Sequence, residues 1–173
     1  MTAYLVAADF SQIELRTLAV LSNCQALKGA YMDEVDVHLL TAMERYGLQA
    51  DQISKPMRNM AKRVNFGIPY GLSPQGMADG ARAESMNDEL PDDIREELRN
   101  TTTAECEAFF RAFHKRYPGV KEYMAATIAF AHRHGYVETY YGRRRYLPDL
   151  RSTDKAVRAH AERAAVNQPV KGT

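Results

Sequence analysis

The stretch that decides the fold is residues 54–71, which read SKPMRNMAKRVNFGIPYG. Ser54 and Pro56 predict the start of a helix, because serine caps helix N-termini and proline fits the first turn. Residues 67–71 contain two glycines and a proline, and they predict its end. One face of this helix is an apolar stripe that we expect to pack into the core, made of Met57, Met60, Ala61, Val64 and Ile68.

A second stripe lies on the opposite face of this helix. It consists of Arg58, Lys62, Phe66 and Tyr70. Because these residues recur every four positions, each step moves around the helix by only about 40°. The cations can neutralise phosphate, and the aromatic rings can stack on bases or sugars, so a nucleoside triphosphate would use both. The alternative is a solvated basic face whose aromatics pack on a neighbour, and the spacing alone leaves both interpretations open.

The N-terminal segment predicts a buried strand that ends in a carboxylate. Residues 4–10 read YLVAADF, a short and mostly apolar run that ends beside Asp9. A carboxylate there can hold Mg²⁺, which binds one or two carboxylates together with phosphate oxygens. The alternative is a surface aspartate before a helix. Ser11 and Glu14 have capping-box spacing, which predicts a helix over about residues 11–22 and gives Glu14 a local role.

The rest of the chain predicts more helix than strand. Further helices are expected over residues 33–46, 92–99, 104–116, 120–134 and 152–167, the last stopping before Pro169. The rest of residues 72–103 is polar and acidic and is expected to form a loop. Residues 135–147 change to a period of two around Gly142, which predicts a hairpin. The expected fold class is therefore α+β.

Composition excludes several classes of protein. The chain has 173 residues, 45% hydrophobic and 26% charged, which excludes a disordered or collagen-like chain. No apolar run approaches the roughly 20 residues that span a bilayer, and no secretion signal is expected. The net charge of +1 does not by itself suggest a nucleic-acid partner. Charge is sorted locally, however, with eight basic and three acidic residues in 141–173 and seven acidic and two basic in 84–99.

The predicted hairpin carries a basic patch among aromatic residues. The patch consists of Arg143, Arg144 and Arg145 beside Tyr140, Tyr141 and Tyr146. It can contact a phosphate backbone, and a solvated hairpin end is an equally good interpretation. Arg163, Asn167 and Lys171 recur at four-residue spacing, with Lys171 expected beyond the helix that stops before Pro169.

Taken in order, these segments resemble the polymerase region of family A DNA polymerases, the bacterial DNA polymerase I type. Residues 9–16, DFSQIELR, are similar to motif A of that family, and residues 58–71 are similar to motif B, its fingers helix. Further matching segments are residues 36–38, 117–120, 142–148 and 162–167. The resemblance covers nearly the whole chain except about residues 79–103.

The resemblance implies part of the right-hand polymerase fold, with mostly helical fingers and part of an antiparallel palm sheet. Residues 1–30 would belong to the palm, with the motif A strand and helix. Residues 31–135 would form the fingers, with an acidic insertion at about 79–103 that we expect to project away from DNA. Residues 136–173 would be a hairpin and helix that return to the palm.

The resemblance also implies roles for individual residues. Asp9 and Lys62 would be catalytic, and Asp9 with the backbone carbonyl of Phe10 would bind Mg²⁺, two ions in the complete enzyme. The nucleotide-binding residues would be Gln12, Glu14, His38, Arg58, Lys62, Phe66 and Tyr70, with Glu14 excluding a ribose 2′-OH. The DNA-binding residues would be Tyr70, Arg143, Arg163, Asn167 and Lys171. Lys171 stands where the family usually has Gln, so we expect it to reach phosphate rather than the minor groove.

The implied function is that of a DNA-directed DNA polymerase, which transfers dNMP from a dNTP to a primer 3′-OH by two-metal catalysis in replication and repair. The implied partners are template–primer DNA and dNTP, with no membrane, in a monomeric enzyme of the cytoplasm at the nucleoid. The family's second metal-binding carboxylate is not in this sequence, so we expect the chain alone to be inactive. The alternatives are a non-catalytic nucleic-acid or nucleotide-binding module and a ribonucleotide polymerase, which Glu14 disfavours.

Overall fold

The computed structural model describes residues 10–173, and helix dominates them. The helices are α1 (Ile13–Leu21), α2 (Gln25–Met32), α3 (Val37–Tyr46), α4 (Lys55–Gly67), α5 (Pro74–Glu84), α6 (Asp92–Asn100), α7 (Thr103–Arg116), α8 (Pro118–His134) and α9 (Lys155–Gly172). An antiparallel hairpin joins β1 (Tyr136–Glu138) to β2 (Arg144–Tyr146), with Val137 opposite Arg145. The predicted α+β class and the hairpin are confirmed. The predicted strand over residues 4–10 lies outside the described residues, except for Phe10, which is irregular.

Helix α4 is the helix that residues 54–71 predict. The Ser54 hydroxyl caps it by accepting a hydrogen bond from the backbone N–H of Met57 at 3.4 Å. The apolar stripe is buried between α3 and α7, with Met57 at its half-buried edge. A turn of 3-10 helix, Ile68–Tyr70, follows α4 and ends at Gly71, whose positive φ of 70° suits glycine.

The buried apolar residues form two clusters. The larger one lies among α1 to α5, α7 and the start of α8, and Val170 of α9 also belongs to it. The smaller one lies between the end of α8, the hairpin and α9, around Val137, Leu147 and Ala165. Helix α9 therefore contributes to both clusters, and its position fixes the hairpin relative to α4.

Three helices begin later than predicted, among them α9, which begins at Lys155 rather than near residue 152 because the Asp154 side chain caps it. Helix α1 begins at Ile13 after Gln12, whose φ is 53°, and no side chain caps it, so the expected capping box of Ser11 and Glu14 does not form. Helix α3 begins at Val37 rather than near residue 33. The Asp36 carboxylate accepts hydrogen bonds from the backbone N–H groups of His38 at 2.9 Å and Leu39 at 3.2 Å, which makes Asp36 the N-cap.

Helices α2 and α5 form where no helix was predicted. Helix α5 buries Met77, Ala78 and Ala81 and packs against α7, so residues 72–103 are not an open loop. The Arg63 guanidinium of α4 also donates to the Glu84 carboxylate of α5, at 2.7 and 3.1 Å. The helix predicted over residues 92–99 is confirmed as α6.

Helix α9 continues through Pro169 to Gly172, which corrects the predicted stop before that proline. A proline inside a helix lacks one N–H donor. Here Pro169 and Val170 are both buried, and the Thr173 hydroxyl donates to the Pro169 carbonyl oxygen at 2.6 Å. Burial and this end contact offset the missing hydrogen bond. Lys171 consequently lies on α9, on the same face as Arg163 and Asn167.

Within residues 10–173, no helix is both long enough and apolar enough to cross a membrane.

Candidate nucleotide- and DNA-binding site

A buried hydrogen-bond network joins the start of α3 to α4. His38 and Asn65 are only 2% and 1% exposed. The Asn65 side-chain nitrogen Nδ2 lies 3.0 Å from His38 Nδ1 and donates to the Val37 carbonyl oxygen at 3.1 Å. Burial is the largest cause that lowers the pKa of His38, to about 4, while Asp36 opposes it and the Arg58 and Lys62 cations add to it. The His38 ring is therefore neutral at pH 7.

Arg58 is held at the edge of this network by an ion pair. Its Nε donates to Asp36 Oδ2 at 2.5 Å, while Oδ1 of the same carboxylate caps α3. Burial raises the pKa of Asp36, but the hydrogen bonds from Arg58, Leu39 and His38 outweigh it and bring the pKa below its ordinary value. The carboxylate thus fixes Arg58 and the first turn of α3 together.

Arg58, Lys62 and Phe66 of the second stripe lie on α4, whereas Tyr70 lies in the turn of 3-10 helix that follows it. Lys62 is exposed and makes no hydrogen bond or ion pair to any residue in 10–173. Phe66 is half-buried against the core, and its ring centroid lies 5.5 Å from that of His38. A cation, an aromatic ring and a neutral imidazole thus lie side by side along α4.

The motif A residues that the structure describes lie at the start of α1. Gln12 Oε1 accepts a hydrogen bond from the Tyr31 hydroxyl at 2.9 Å, and the Arg16 guanidinium stacks 4.7 Å from the Tyr31 ring centroid. Burial raises the pKa of Tyr31 well above its ordinary value. The Glu14 carboxylate is half-buried and makes no hydrogen bond to residues 10–173, so the local role expected for it is wrong.

A polar cleft of about 290 Å³ lies where the end of α4 meets α9. Its lining includes Tyr70, Arg145, Arg163, Asn167, Gln168 and Lys171. Lys171 Nζ lies 4.4 Å from the centroid of the Tyr70 ring, which is cation–π distance. The predicted DNA-binding residues of α9 are therefore brought to the last residue of the α4 stripe.

Gly71 lets the turn of 3-10 helix after α4 approach α9 closely. A methyl group on Gly71 would clash with Arg163 Cγ, in addition to the strain of a positive φ. Arg163 itself makes no hydrogen bond or ion pair to residues 10–173, and its guanidinium is left to the cleft and the solvent.

Arg143 is not among the lining residues of the cleft. It lies in the hairpin turn, where its backbone N–H donates to Thr139 Oγ1 at 3.1 Å, and its guanidinium lies close to Gly172. Arg145, in contrast, reaches the cleft and donates to Gln168 Oε1 at 2.7 Å.

Of the two residues predicted to bind Mg²⁺, the structure describes only Phe10. Asp9 lies outside the described residues, and Phe10 is 78% exposed. Among residues 10–173, no group of three or more His, Cys, Asp or Glu side chains could hold a metal ion.

Asn65 and Asp36 bind predicted site residues, although the sequence predicted no individual role for either of them. Arg145, predicted only as part of the basic hairpin patch, lines the cleft. For Asn65 a signal existed. It stands four residues after Ala61 and three before Ile68, and both of those belong to the apolar stripe. A polar side chain in a buried stripe needs a buried partner, and His38 is that partner.

Comparison with known proteins identifies the family. The family model described as DNA polymerase family A matches residues 1–173. The thermostable DNA polymerase I of Thermus filiformis is 41% identical over 169 residues, which cover 98% of this chain and 18% of that protein. The DNA polymerase I of Caldicellulosiruptor bescii is 39% identical over 98% of this chain and 18% of its own length. The chain thus spans less than a fifth of the length of these relatives.

A solved structure agrees with the sequence relatives. The POL domain of Pol1 from M. smegmatis, in complex with DNA primer-template and dNTP, matches with a TM-score of 0.78 and 32% sequence identity. The match covers 95% of this chain and 26% of that one. With the family model matching along its whole length, this chain belongs to DNA polymerase family A.

Proposed function

We propose that this chain is part of a DNA-directed DNA polymerase, in which it binds the incoming dNTP and part of the template–primer duplex. The reaction is transfer of dNMP from the dNTP to the primer 3′-OH. One observation carries the proposal: Tyr70, the last residue of the stripe that begins with Arg58 and Lys62, lies against Lys171 of α9 and lines the polar cleft. A nucleotide and a duplex would then be held next to each other.

The α4 stripe suits a triphosphate laid along it. Arg58 and Lys62 place positive charge where charge builds up on the transferring phosphoryl group, and positioning with charge neutralisation accounts for most catalysis of this class. Phe66, one turn further on, offers its ring to the sugar and base. Tyr70 would then lie beside the templating base.

The α9 face suits a duplex backbone. Arg163 and Lys171 are exposed cations on one face of α9, and Asn167 lies between them. Cations of this kind bind phosphate in any sequence and fix the register of the duplex. The M. smegmatis relative was solved with DNA primer-template and dNTP, which supports both partners for this chain.

Family A DNA polymerases use divalent metals. A resident Mg²⁺ would activate the primer 3′-OH and stabilise the leaving pyrophosphate. Asp9 and the Phe10 carbonyl are the residues proposed to hold it. The roles argued above for Arg58, Lys62, Phe66 and Tyr70 rest on the charges and rings of those side chains themselves.

Primer extension by the full-length product of the gene tests the proposal. With template–primer, all four dNTPs and Mg²⁺, we expect template-dependent extension. Asp9→Ala should abolish it while the dissociation constant for template–primer stays within about twofold, because phosphate contacts dominate duplex affinity. Asp51→Ala, an exposed aspartate after α3, is the matched control and should extend normally.

Two results would contradict the proposal in different ways. If Asp9→Ala kept most of the extension activity, the metal role of Asp9 would be wrong. If the unmodified protein bound template–primer and dNTP but never extended a primer, the chain would belong to a binding module rather than to an enzyme.

A further inference from the structure

Asn65 makes contacts that fix the chemistry of the His38 ring. Its Nδ2 lies 3.1 Å from the Val37 carbonyl oxygen and 3.0 Å from His38 Nδ1. A carbonyl oxygen only accepts hydrogen bonds, so Asn65 must present its NH₂ group to it rather than its own oxygen. The NH₂ group has two protons, and the second one points to His38 Nδ1.

His38 Nδ1 must therefore be an acceptor. A neutral imidazole has one acceptor nitrogen and one donor nitrogen, so the proton lies on Nε2. A doubly protonated ring would place an Nδ1–H group against the Asn65 NH₂ group, donor against donor. Among residues 10–173 the His38 ring makes no other hydrogen bond, which leaves Nε2–H as its donor to a ligand.

The charged groups around His38 agree with a neutral ring. Arg58 and Lys62 on α4 disfavour a third positive charge beside them. Asp36 would favour one, but its carboxylate is already engaged by Arg58 and by two backbone N–H groups of α3. Burial acts in the same direction as the two cations and lowers the pKa of His38 to about 4.

We propose that Asn65 is a positioning residue, which holds His38 in the tautomer protonated on Nε2 and thereby presents a neutral N–H donor to the triphosphate of the incoming nucleotide. The inference rests on the proposed function, because it needs an incoming dNTP bound along the α4 stripe, where the His38 ring lies 5.5 Å from that of Phe66 and where the resemblance implies a nucleotide contact for His38. It adds that, among residues 10–173, Arg58 and Lys62 supply the positive charge that acts on this end of the stripe, and that His38 contributes direction rather than charge.

The first test reads the tautomer directly and needs no activity. The full-length product is labelled with ¹⁵N-histidine, and the His38 signals are assigned by their loss in His38→Gln. We expect nitrogen shifts of the Nε2–H tautomer that do not change between pH 5.5 and 8. A ring protonated on Nδ1, or one that titrates near its ordinary pKa, would overturn the proposal.

The second test changes Asn65. It measures how tightly the protein, with template–primer already bound, binds a non-hydrolysable α,β-imido dNTP. Asn65→Ala removes the donor that selects the tautomer, and we expect affinity to fall about fivefold, the size of one hydrogen bond. Asn65→Asp replaces the donor by a carboxylate, which raises the pKa of His38. The affinity of Asn65→Asp for the analogue should then rise as pH falls from 8 to 6, because the His38 ring becomes charged. The unmodified protein should show no such rise.

Thr41→Val is the matched control. Thr41 is also buried, and its hydroxyl donates to the same Val37 carbonyl oxygen at 2.9 Å but makes no hydrogen bond to the His38 ring. It should lose stability like Asn65→Ala, yet keep the His38 shifts and the affinity of the analogue. If Thr41→Val lowered affinity as much as Asn65→Ala did, Asn65 would act only through stability and the proposal would be wrong.

The two proposals fail differently. If His38→Gln left the affinity of the analogue unchanged, the nucleotide contact in the proposed function would be wrong, whatever the tautomer. If His38→Gln weakened binding but Asn65→Ala changed neither the ¹⁵N shifts nor the affinity, the contact would stand and the role of Asn65 would be refuted.

Discussion

The α3–α4 side and the α9 side of the candidate site hold their polar groups in opposite ways. At α3–α4, short contacts join the polar side chains of His38, Asn65, Asp36 and Arg58. Of these residues, His38 and Asn65 are almost fully buried. At α9, Arg163 and Lys171 are exposed, and Lys171 Nζ lies 4.4 Å from the centroid of the Tyr70 ring.

This difference matches what each side is proposed to bind. A triphosphate that must react in one geometry is best bound by donors whose positions are fixed before it arrives. A duplex backbone varies in position and is served by long cations that can adjust. The comparison therefore predicts that changes at α3–α4 alter turnover or nucleotide affinity, while changes on α9 alter the salt dependence of DNA binding.

The largest effect should come from Lys62→Ala. We expect kcat for nucleotide incorporation to fall about 100- to 1000-fold, the loss seen when one preorganised group that stabilises developing charge is removed. Affinity for template–primer should change by less than about twofold. Steady-state kinetics and DNA titration of the full-length product check this, with Lys55→Ala at the first turn of α4 as control. A loss in DNA affinity without a loss in kcat would place Lys62 on the duplex side.

The next largest effect should come from Gly71→Ala, which breaks the junction between the two sides. A non-glycine residue at a positive φ costs about 1–2 kcal/mol, and here the methyl group would also press on Arg163. Gly135 has a similar φ of 77° but open space around it. Gly135→Ala should therefore show the cost of the backbone strain without a steric clash. Hydrogen exchange of α9 in urea should show a larger loss of stability for Gly71→Ala, and equal losses would contradict the close packing.

A smaller effect should come from Asp36→Ala, which removes an N-cap and releases Arg58. We expect a loss of about 1–2 kcal/mol in the stability of α3, against about 1 kcal/mol in α9 for the control Asp154→Ala, an N-cap without an ion pair. Because the pKa of Asp36 is lowered in the folded protein, its contribution is present above the ordinary carboxyl pKa of about 4 and is lost as pH falls below it. If both variants lost equal stability at pH 7, the ion pair would contribute nothing.

The smallest change in stability should come from Lys171→Gln, which removes the cation over Tyr70. A cation–π contact at such a site contributes about 0.5–1 kcal/mol. If Lys171 also binds phosphate, the slope of log K for DNA binding against log salt should fall in magnitude by about 0.9. Lys155→Gln at the other end of α9 is the control and should leave the slope unchanged. An unchanged slope in Lys171→Gln as well would show that Lys171 acts only on Tyr70.

The sequence predicted the elements whose signals are local. The start of α4 follows from Ser54 and Pro56, its two stripes follow from spacing, and Gly142 and the change of period predict the hairpin. The structure confirms each of these. The expected boundaries of fingers, insertion and palm, and the roles of Asp9 and Glu14, stay predictions.

The errors arise where distant residues decide the local structure. Helix α5 carries the local start signal of Ser73 and Pro74, but its glycines and polar residues indicated a loop, and burial of Met77 and Ala81 against α7 outweighs them. Helix α2 is short and has no side-chain cap, so only packing reveals it. A proline ends most helices. Helix α9 nevertheless continues past Pro169, because Pro169 and Val170 are both buried.

The sequence by itself determined the family and the α4 stripe, because motifs and helical spacing are properties of neighbours along the chain. Tertiary structure alone decided that Asn65 faces His38 and that Lys171 lies on Tyr70. Both contacts join segments far apart in sequence, 27 residues in the first case. They depend on how α3, α4 and α9 pack, and a buried polar group takes whichever partner that packing brings within hydrogen-bond distance.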